Sequence, residues 1–350
     1  MNLTSLTTRQ MHCATVLVLS SIAVLSWPLL EAQPVSPGDG LAADLMRYLG
    51  LTDHGTLLEQ GDVVHSGLLT EEQLPEEVDA VGAMLLIRGV HPDLVIDAFM
   101  HSETFRQVHD IGRYGALTDP EERSDNFGEL TLGSGLDLNR LARQPMRYYN
   151  VSRQEADMLM GTDTTGPQNT IAVTTTWRSI LLGRLESFLE GGIPQIPSYV
   201  RQRGTEVSPT AELNSALRGS AFLEDQFPTF LGALVEPSEA LEAGIAQEYF
   251  WLETDFDGER VWALSAELRL LLDDSAVAAD LQFYASRGYN AMVTFIGVVP
   301  YGTHLLAFAI NHTYTDEVLG FASGLKKRIA RRRMTESLTA HLEEVRRRLE

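Results

Sequence analysis

The chain has 350 residues, with 27 basic against 48 acidic side chains, a net charge of −21, and 44% hydrophobic residues. This composition is globular, neither disordered nor collagen-like, and its acidity argues against a general nucleic-acid binder, which needs a broad basic face. A single cysteine, Cys13, excludes an intrachain disulfide framework and a cysteine-based zinc site, while the length suffices for one large or two ordinary domains.

Residues 1–32 read as an export signal. One charge, Arg9, precedes the apolar run Ala14 to Leu30, and Leu30-Glu31-Ala32 ahead of Gln33 puts a small residue at the cut expected after Ala32. An uncleaved anchor is the alternative, because a run of 17 residues is at the lower limit for spanning a bilayer. Trp27 and Pro28 near the end of the run favour cleavage, which would remove Cys13. With no later segment apolar enough to span, the expectation is a soluble periplasmic or secreted product.

Residues 33–60 are expected to hold a flexible leader and a short helix, Leu41 to Leu49. In residues 61–144, the β-tolerant runs Gly61 to Leu69 and Val78 to Ile87 suggest two strands. His91-Pro92-Asp93 opens an amphipathic helix to about Val108, since proline suits a first turn that needs no amide partner. Gly112 to Leu117 and Phe127 to Leu132 read as further strands around an acidic turn. Residues 145–246 are helical: Ser152 and Glu155 form a capping box for a helix to Met160, a second helix spans Thr174 to Leu189, and Ser208-Pro209 starts a third.

Residues 247–350 change character. Tyr249 to Phe256 meets Arg260 to Leu272 across Asp257-Gly258, a pair that suits a type I′ hairpin. Asp280 to Tyr289, Ala291 to Val299 and Thr303 to Tyr314 are further strands. A helix then runs from about Asp316 to the end, with Val318, Phe321, Leu325, Ile329, Met334, Leu338, Leu342, Val345 and Leu349 in three- and four-residue steps. It would be about 50 Å long. Residues 326–350 carry nine basic and four acidic side chains, +5, whereas the rest of the chain carries 18 and 44, −26. An acidic body thus bears a basic tail suited to its own body, an anionic membrane surface or a partner.

A strand pair, a helix, an antiparallel run of strands and a long closing helix is an order that resembles the helix-grip folds, START-like and polyketide-cyclase-like. The resemblance covers residues 61–132 and 247–345, with the helical block as an insertion. It implies an α+β fold whose antiparallel sheet wraps the C-terminal helix around an apolar cavity. Phe283-Tyr284-Ala285-Ser286, the Asn311-His312 strand end and the segment Phe321 to Arg328 also resemble an exported bacterial family of uncharacterised proteins.

Catalytic motifs are scarce. His101 and His109 are too far apart for a helical metal clamp, and His101-Ser102-Glu103 lacks the paired cysteines of a zinc deaminase. Gly133-Ser134-Gly135 is no nucleophile elbow, and Ser323-x-x-Lys326 lies where a packed helix already explains it. Acidic pairs such as Asp273-Asp274, Glu76-Glu77 and Glu121-Glu122 read as solvated turns. No metal site and no cofactor are expected, the phosphate-loop and dinucleotide patterns being absent.

Arg184 stands out because it lies on the apolar helix face of Trp177, Leu181, Leu185 and Phe188, where a guanidinium must be paired or meet an anionic head group. Tyr249, Trp251, Trp262, Phe283, Tyr284, Phe295 and Phe308 would furnish the inner face of the sheet, and His304 and His312 share strand parity. The expected ligand site is therefore Arg184, Trp251, Trp262, Tyr284, Phe295, His304 and His312, and the expected function is binding of a hydrophobic or amphipathic small molecule, lipid-like, in that cavity. The alternatives are an enzyme on the same scaffold with His304 or His312 as general base, or an envelope interaction module acting through the basic helix.

Overall fold

A computed structural model describes residues 40–68, 74–100, 111–118, 125, 127–132, 136–163, 169–202, 204–256 and 258–350. The signal segment, most of the leader, His101 and His109, the acidic turn at Glu121-Glu122, Gly133-Ser134-Gly135 and Asp257 lie outside the described residues.

The chain opens with helices α1 (Leu41–Tyr48) and α2 (Gly55–Gln60), strands β1 (Val64–Leu68) and β2 (Glu77–Ile87), helix α3 (Pro92–Met100) and strand β3 (Ile111–Ala116). A helical block follows: α4 (Leu136–Arg143), α5 (Pro145–Tyr148), α6 (Arg153–Met160), α7 (Asn169–Gly191), a minimal hairpin of β4 (Tyr199–Val200) and β5 (Glu206–Val207), then α8 (Pro209–Arg218), α9 (Ala221–Gln226), α10 (Pro228–Val235) and α11 (Pro237–Glu242). The last third is the antiparallel run β6 (Ala246–Phe256), β7 (Glu259–Leu271), β8 (Ala276–Ala285), β9 (Ala291–Tyr301) and β10 (His304–Tyr314), closed by α12 (Ser323–Leu349).

Among the described residues, eight strands form one antiparallel sheet in the order β1-β2-β10-β9-β8-β7-β6-β3. The fold is α+β, with the sheet set against a long C-terminal helix and a helical block inserted between its halves. Consecutive hairpins build β6 to β10, and β10 then pairs with β2, so the last strand joins the early hairpin to the meander. Both faces are covered. The helical block packs on one in a large core, and α3 with the C-terminal half of α12 packs on the other. Double coverage explains why β8 is buried throughout and reads as a continuous apolar run, since alternation needs a wet face.

Several local expectations hold. Ser152 accepts from the Glu155 amide while the Glu155 carboxylate accepts from the Ser152 amide at 2.6 Å. Ser208 caps α8, with Pro209 in its first turn.

Others differ for visible reasons. Phe127–Glu129 is a 3₁₀ turn, because Arg178 takes the Gly128 and Leu130 carbonyls (2.6 and 2.7 Å) and Arg113 takes that of Glu129 (3.0 Å), leaving none for a ladder. Strand β8 starts at Ala276, earlier than expected, because pairing to β7 and β9 overrides the weak strand preference of its alanines. The closing helix is interrupted: Asp316–Val318 is a 3₁₀ turn capped by Thr315, and the left-handed Gly320 (φ 76°) and Ala322 (φ 61°) reset the chain before α12. At 27 residues, α12 is about 40 Å long.

Candidate functional site

The sheet face opposite the helical block carries a groove. Its sheet-side wall includes Val78, Ile111, Leu252, Gln282, Met292, Asn311 and Thr313, and α12 supplies Lys326, Ile329, Ala330, Arg333, Met334 and Ser337. The volume is about 790 Å³. The space exists because α12 is anchored at one end. Leu338, His341, Leu342 and Val345 are buried against β2 and α3, whereas Leu325 and Ile329 stay about half exposed.

A polar stripe crosses four strands on this face, and its Gln282, Asn311 and Thr313 reach the groove as its floor. Glu267 opposes Asp280, Ser265 opposes Gln282, Asp280 opposes Thr294, and Thr294 opposes Asn311. Within the stripe, Thr313 donates to the Asn311 side-chain carbonyl (2.7 Å), Asn311 to Thr294 (2.8 Å), and Gln282 to Asp280 (3.0 Å). Ser265 also bonds Asp280, and the Tyr289 hydroxyl donates to Gln282. Burial pushes the Asp280 carboxyl up, against the pull of the Ser265 and Gln282 hydrogen bonds. Glu267 is pushed up to about 8 by burial first and by the facing Asp280 second. The floor therefore offers the amides of Gln282 and Asn311 and the hydroxyl of Thr313, and burial raises the pKa of both acids in the stripe. The walls are mainly aliphatic, and the two cations come from α12.

Two bulges decide what reaches the groove. Between Asn311 and Thr313 of β10, β2 spends an extra residue, so Val78 turns to the groove while Glu77 faces the helical block beside His312 and Tyr314. On β8 the extra residue is Phe283, so Phe283 and Tyr284 both point into the block and Gln282 points into the groove.

The seven residues singled out by sequence lie elsewhere, and none lines the groove. Trp251, Trp262, Tyr284 and Phe295 are buried between the sheet and the helical block. Arg184 joins them from α7: it donates to Glu155 at 2.6 Å, lies 4.3 Å from the centre of the Tyr284 ring and is 2% exposed. His304, half-buried, ends the β9–β10 hairpin, on the same strand parity as His312. His312 sits deep in the same layer, its Nε2 3.4 Å from Ser220 Oγ and its Nδ1 3.6 Å from Glu77 Oε1, all three fully buried. The groove residues Gln282, Met292, Asn311 and Thr313 were missed. For Gln282, Asn311 and Thr313 the signal was polarity inside otherwise apolar strands, on the parity opposite to most of the aromatics; Met292 carried none.

A second, polar cavity of about 400 Å³ shares Tyr289, Thr315 and Glu317 with the groove and holds Arg140, Arg147, Arg201 and Arg287. Its deeper guanidiniums already serve the protein: Arg201 bonds Asp316, Asn150 and Asn290, and Arg287 bonds Glu259 and the Tyr149 hydroxyl. Among the described residues no cluster of histidines and carboxylates is arranged to hold a metal, and no helix is long and apolar enough to cross a membrane. Comparison with known protein families, curated proteins and solved structures finds no match for this chain.

Proposed function

We propose that the protein is exported and binds a hydrophobic or amphipathic small molecule, lipid-like, in the groove between the sheet and α12. The observation that carries this reading is the groove itself. Its volume of about 790 Å³ lies within the range of small-molecule sites, and it pairs aliphatic walls with a few hydrogen-bonding groups on the floor. An acyl or isoprenoid-like body would lie along Val78, Leu252, Met292 and Ile329. Its polar end would meet Gln282, Asn311 and Thr313, or Lys326 and Arg333 at the helix. The helix-grip resemblance points the same way, since such folds hold ligands between the sheet and the last helix. The N-terminal apolar run supports export.

The test is native mass spectrometry of the exported protein against its denatured intact mass. An N-terminus at Gln33 and an extra native mass lost on denaturation are expected. Protein that is bare and also fails to take up a fluorescent fatty acid would overturn the binding reading.

A second reading, an enzyme using His312 as general base, draws on the Ser220–His312–Glu77 arrangement, in which a hydroxyl, an imidazole and a carboxylate follow one another. Substrate would reach Ser220 only if the surrounding helices opened, since Ser220 is fully buried and its hydroxyl donates to the Ala216 carbonyl at 2.9 Å. A fluorophosphonate probe that labels the protein but not Ser220→Ala would support this reading. Absence of labelling under native conditions would remove it.

A further inference from the structure

The lead-in to α12 and its first turns bear an apolar strip that nothing in the described fold covers. Phe321 is 96% exposed, Leu325 55% and Ile329 49%. Residues 325 and 329 stand one turn apart on the same helix face, and Phe321 lies in the non-helical lead-in just before the left-handed Ala322. Three large apolar side chains exposed so close together are unusual on an acidic surface, where they are normally scattered singly.

The charge around the strip is just as distinctive. Lys326, Lys327, Arg328, Arg331, Arg332 and Arg333 follow within eight positions, and no acid occurs between Glu317 and Glu336. The chain outside residues 326–350 carries −26, so this is a local reversal of sign. Arg332 pairs with Glu336 at 2.8 Å, but both are well exposed, which leaves the cation free to exchange partners. Arg328 and Arg332 flank Leu325 on one side of the helix, Lys326 and Arg333 on the other. The same strip adjoins the groove, because Ile329, Lys326 and Arg333 also line it.

We infer that the segment Phe321–Arg333 docks the protein on an anionic phospholipid surface, with the apolar strip seated at the head-group boundary and the groove mouth turned toward the bilayer. Charge complementarity selects the partner: the four cations Lys326, Arg328, Arg332 and Arg333 beside the exposed apolar side chains match an anionic interface, where each cation contributes electrostatic attraction and the apolar residues partition into the acyl boundary. An acidic protein would satisfy the charges but leave Phe321 in water. Docking does not depend on the groove being occupied.

The experiment is co-sedimentation of the full chain with phosphatidylcholine vesicles, with and without phosphatidylglycerol. Charge-dependent binding is expected, present only with phosphatidylglycerol and weakened about tenfold or more between about 0.05 and about 0.5 M salt. The surface variant R328E/R332E should weaken it about a hundredfold, and F321S/L325S should weaken it while leaving a salt-sensitive remainder. Both variants avoid residues that line the groove, so uptake of a fluorescent fatty acid by the groove should be unchanged. Loss of uptake in the wild type would overturn the groove reading without touching this one. Binding indifferent to vesicle charge would overturn the inference. So would a concentration-dependent dimer of the wild type that ignores vesicles.

Discussion

The two faces of the sheet solve the same packing problem in opposite ways. Toward the helical block, large rings fill the space: Phe188 stacks on Phe283 with centroids 4.1 Å apart and planes 4° apart, and Trp177 and Trp262 approach at 5.6 Å beside Tyr149. Toward α12, alanines such as Ala83, Ala278, Ala307 and Ala309 give way to the polar stripe, and a single helix held at one end leaves the groove. A close-packed interior leaves no room between large side chains. A cavity therefore belongs where small and polar residues face an element too short or too loosely held to cover them. Aromatic richness marks the sealed face.

The sharpest way to break this comparison is through the sealed face. Replacing Arg184 with Met strands the Glu155 carboxylate, 8% exposed, without its cation. The expected loss is about 3–5 kcal/mol of unfolding free energy, read from denaturant melts. Adding Glu155→Gln should return part of it, and an Arg184→Met variant as stable as the wild type would show that the pair is incidental. Phe188→Ala should come next, costing about 3–5 kcal/mol through lost burial and the cavity left against Phe283. The two contacts share the core of α7, so the effects should not add fully. Neither change should alter groove uptake in the folded fraction.

Much of this architecture was legible in the sequence, because strand runs, caps and the closing helix are local signals. The capping box at Ser152 and the Pro209 start of α8 are decided within four residues, and the meander by consecutive apolar runs. The side of the sheet each aromatic would occupy was not legible. Strict alternation would have split Phe283 from Tyr284, but the bulge on β8 turns both inward. Nor does a sequence reveal which helix covers which face. The inserted block was recognised as helical, yet its position over the aromatic face follows only from long-range packing. Arg184 is expected at the ligand site because a guanidinium on an apolar helix face needs a partner, and it finds that partner inside the core. That partner, Glu155, lies 29 positions away, beyond any local pattern.

Each face also holds an acid whose pKa is pushed up to about 8, which allows the comparison to be titrated. Glu212, bonded to Asn290 at 2.8 Å, and Glu267, beside Asp280, are each pushed from the ordinary 4.5 to about 8, in both cases mainly by burial. A folded-state pKa above the unfolded one means that the native state holds more protons between those values. The stability these groups contribute is complete below about pH 4.5 and is lost as pH rises through about 8. Each should account for a few kcal/mol over that window, and Glu212→Gln or Glu267→Gln should flatten the slope by its own share. If one substitution removes the whole slope, only the acid it replaces is held neutral by its surroundings.

The mildest perturbation is the most informative about the open face. Ala330 and Ser337 both line the groove from α12 and are half-buried, so each accepts a larger side chain without displacing the core. Ala330→Trp combined with Ser337→Trp should fill much of the space between the helix and the Met292–Asn311 floor. Because an occupied void regains dispersion contacts, unfolding free energy should change by less than about 1 kcal/mol. Affinity for a fluorescent fatty acid should fall about tenfold or more, since indole rings would take the volume the chain needs. A filled variant that still takes up the probe would place binding elsewhere, and the polar cavity around Arg140 and Arg147 would become the site to mutate next. A filled variant that is strongly destabilised would mean that the sheet and α12 move together, and that the groove is looser packing rather than a formed site.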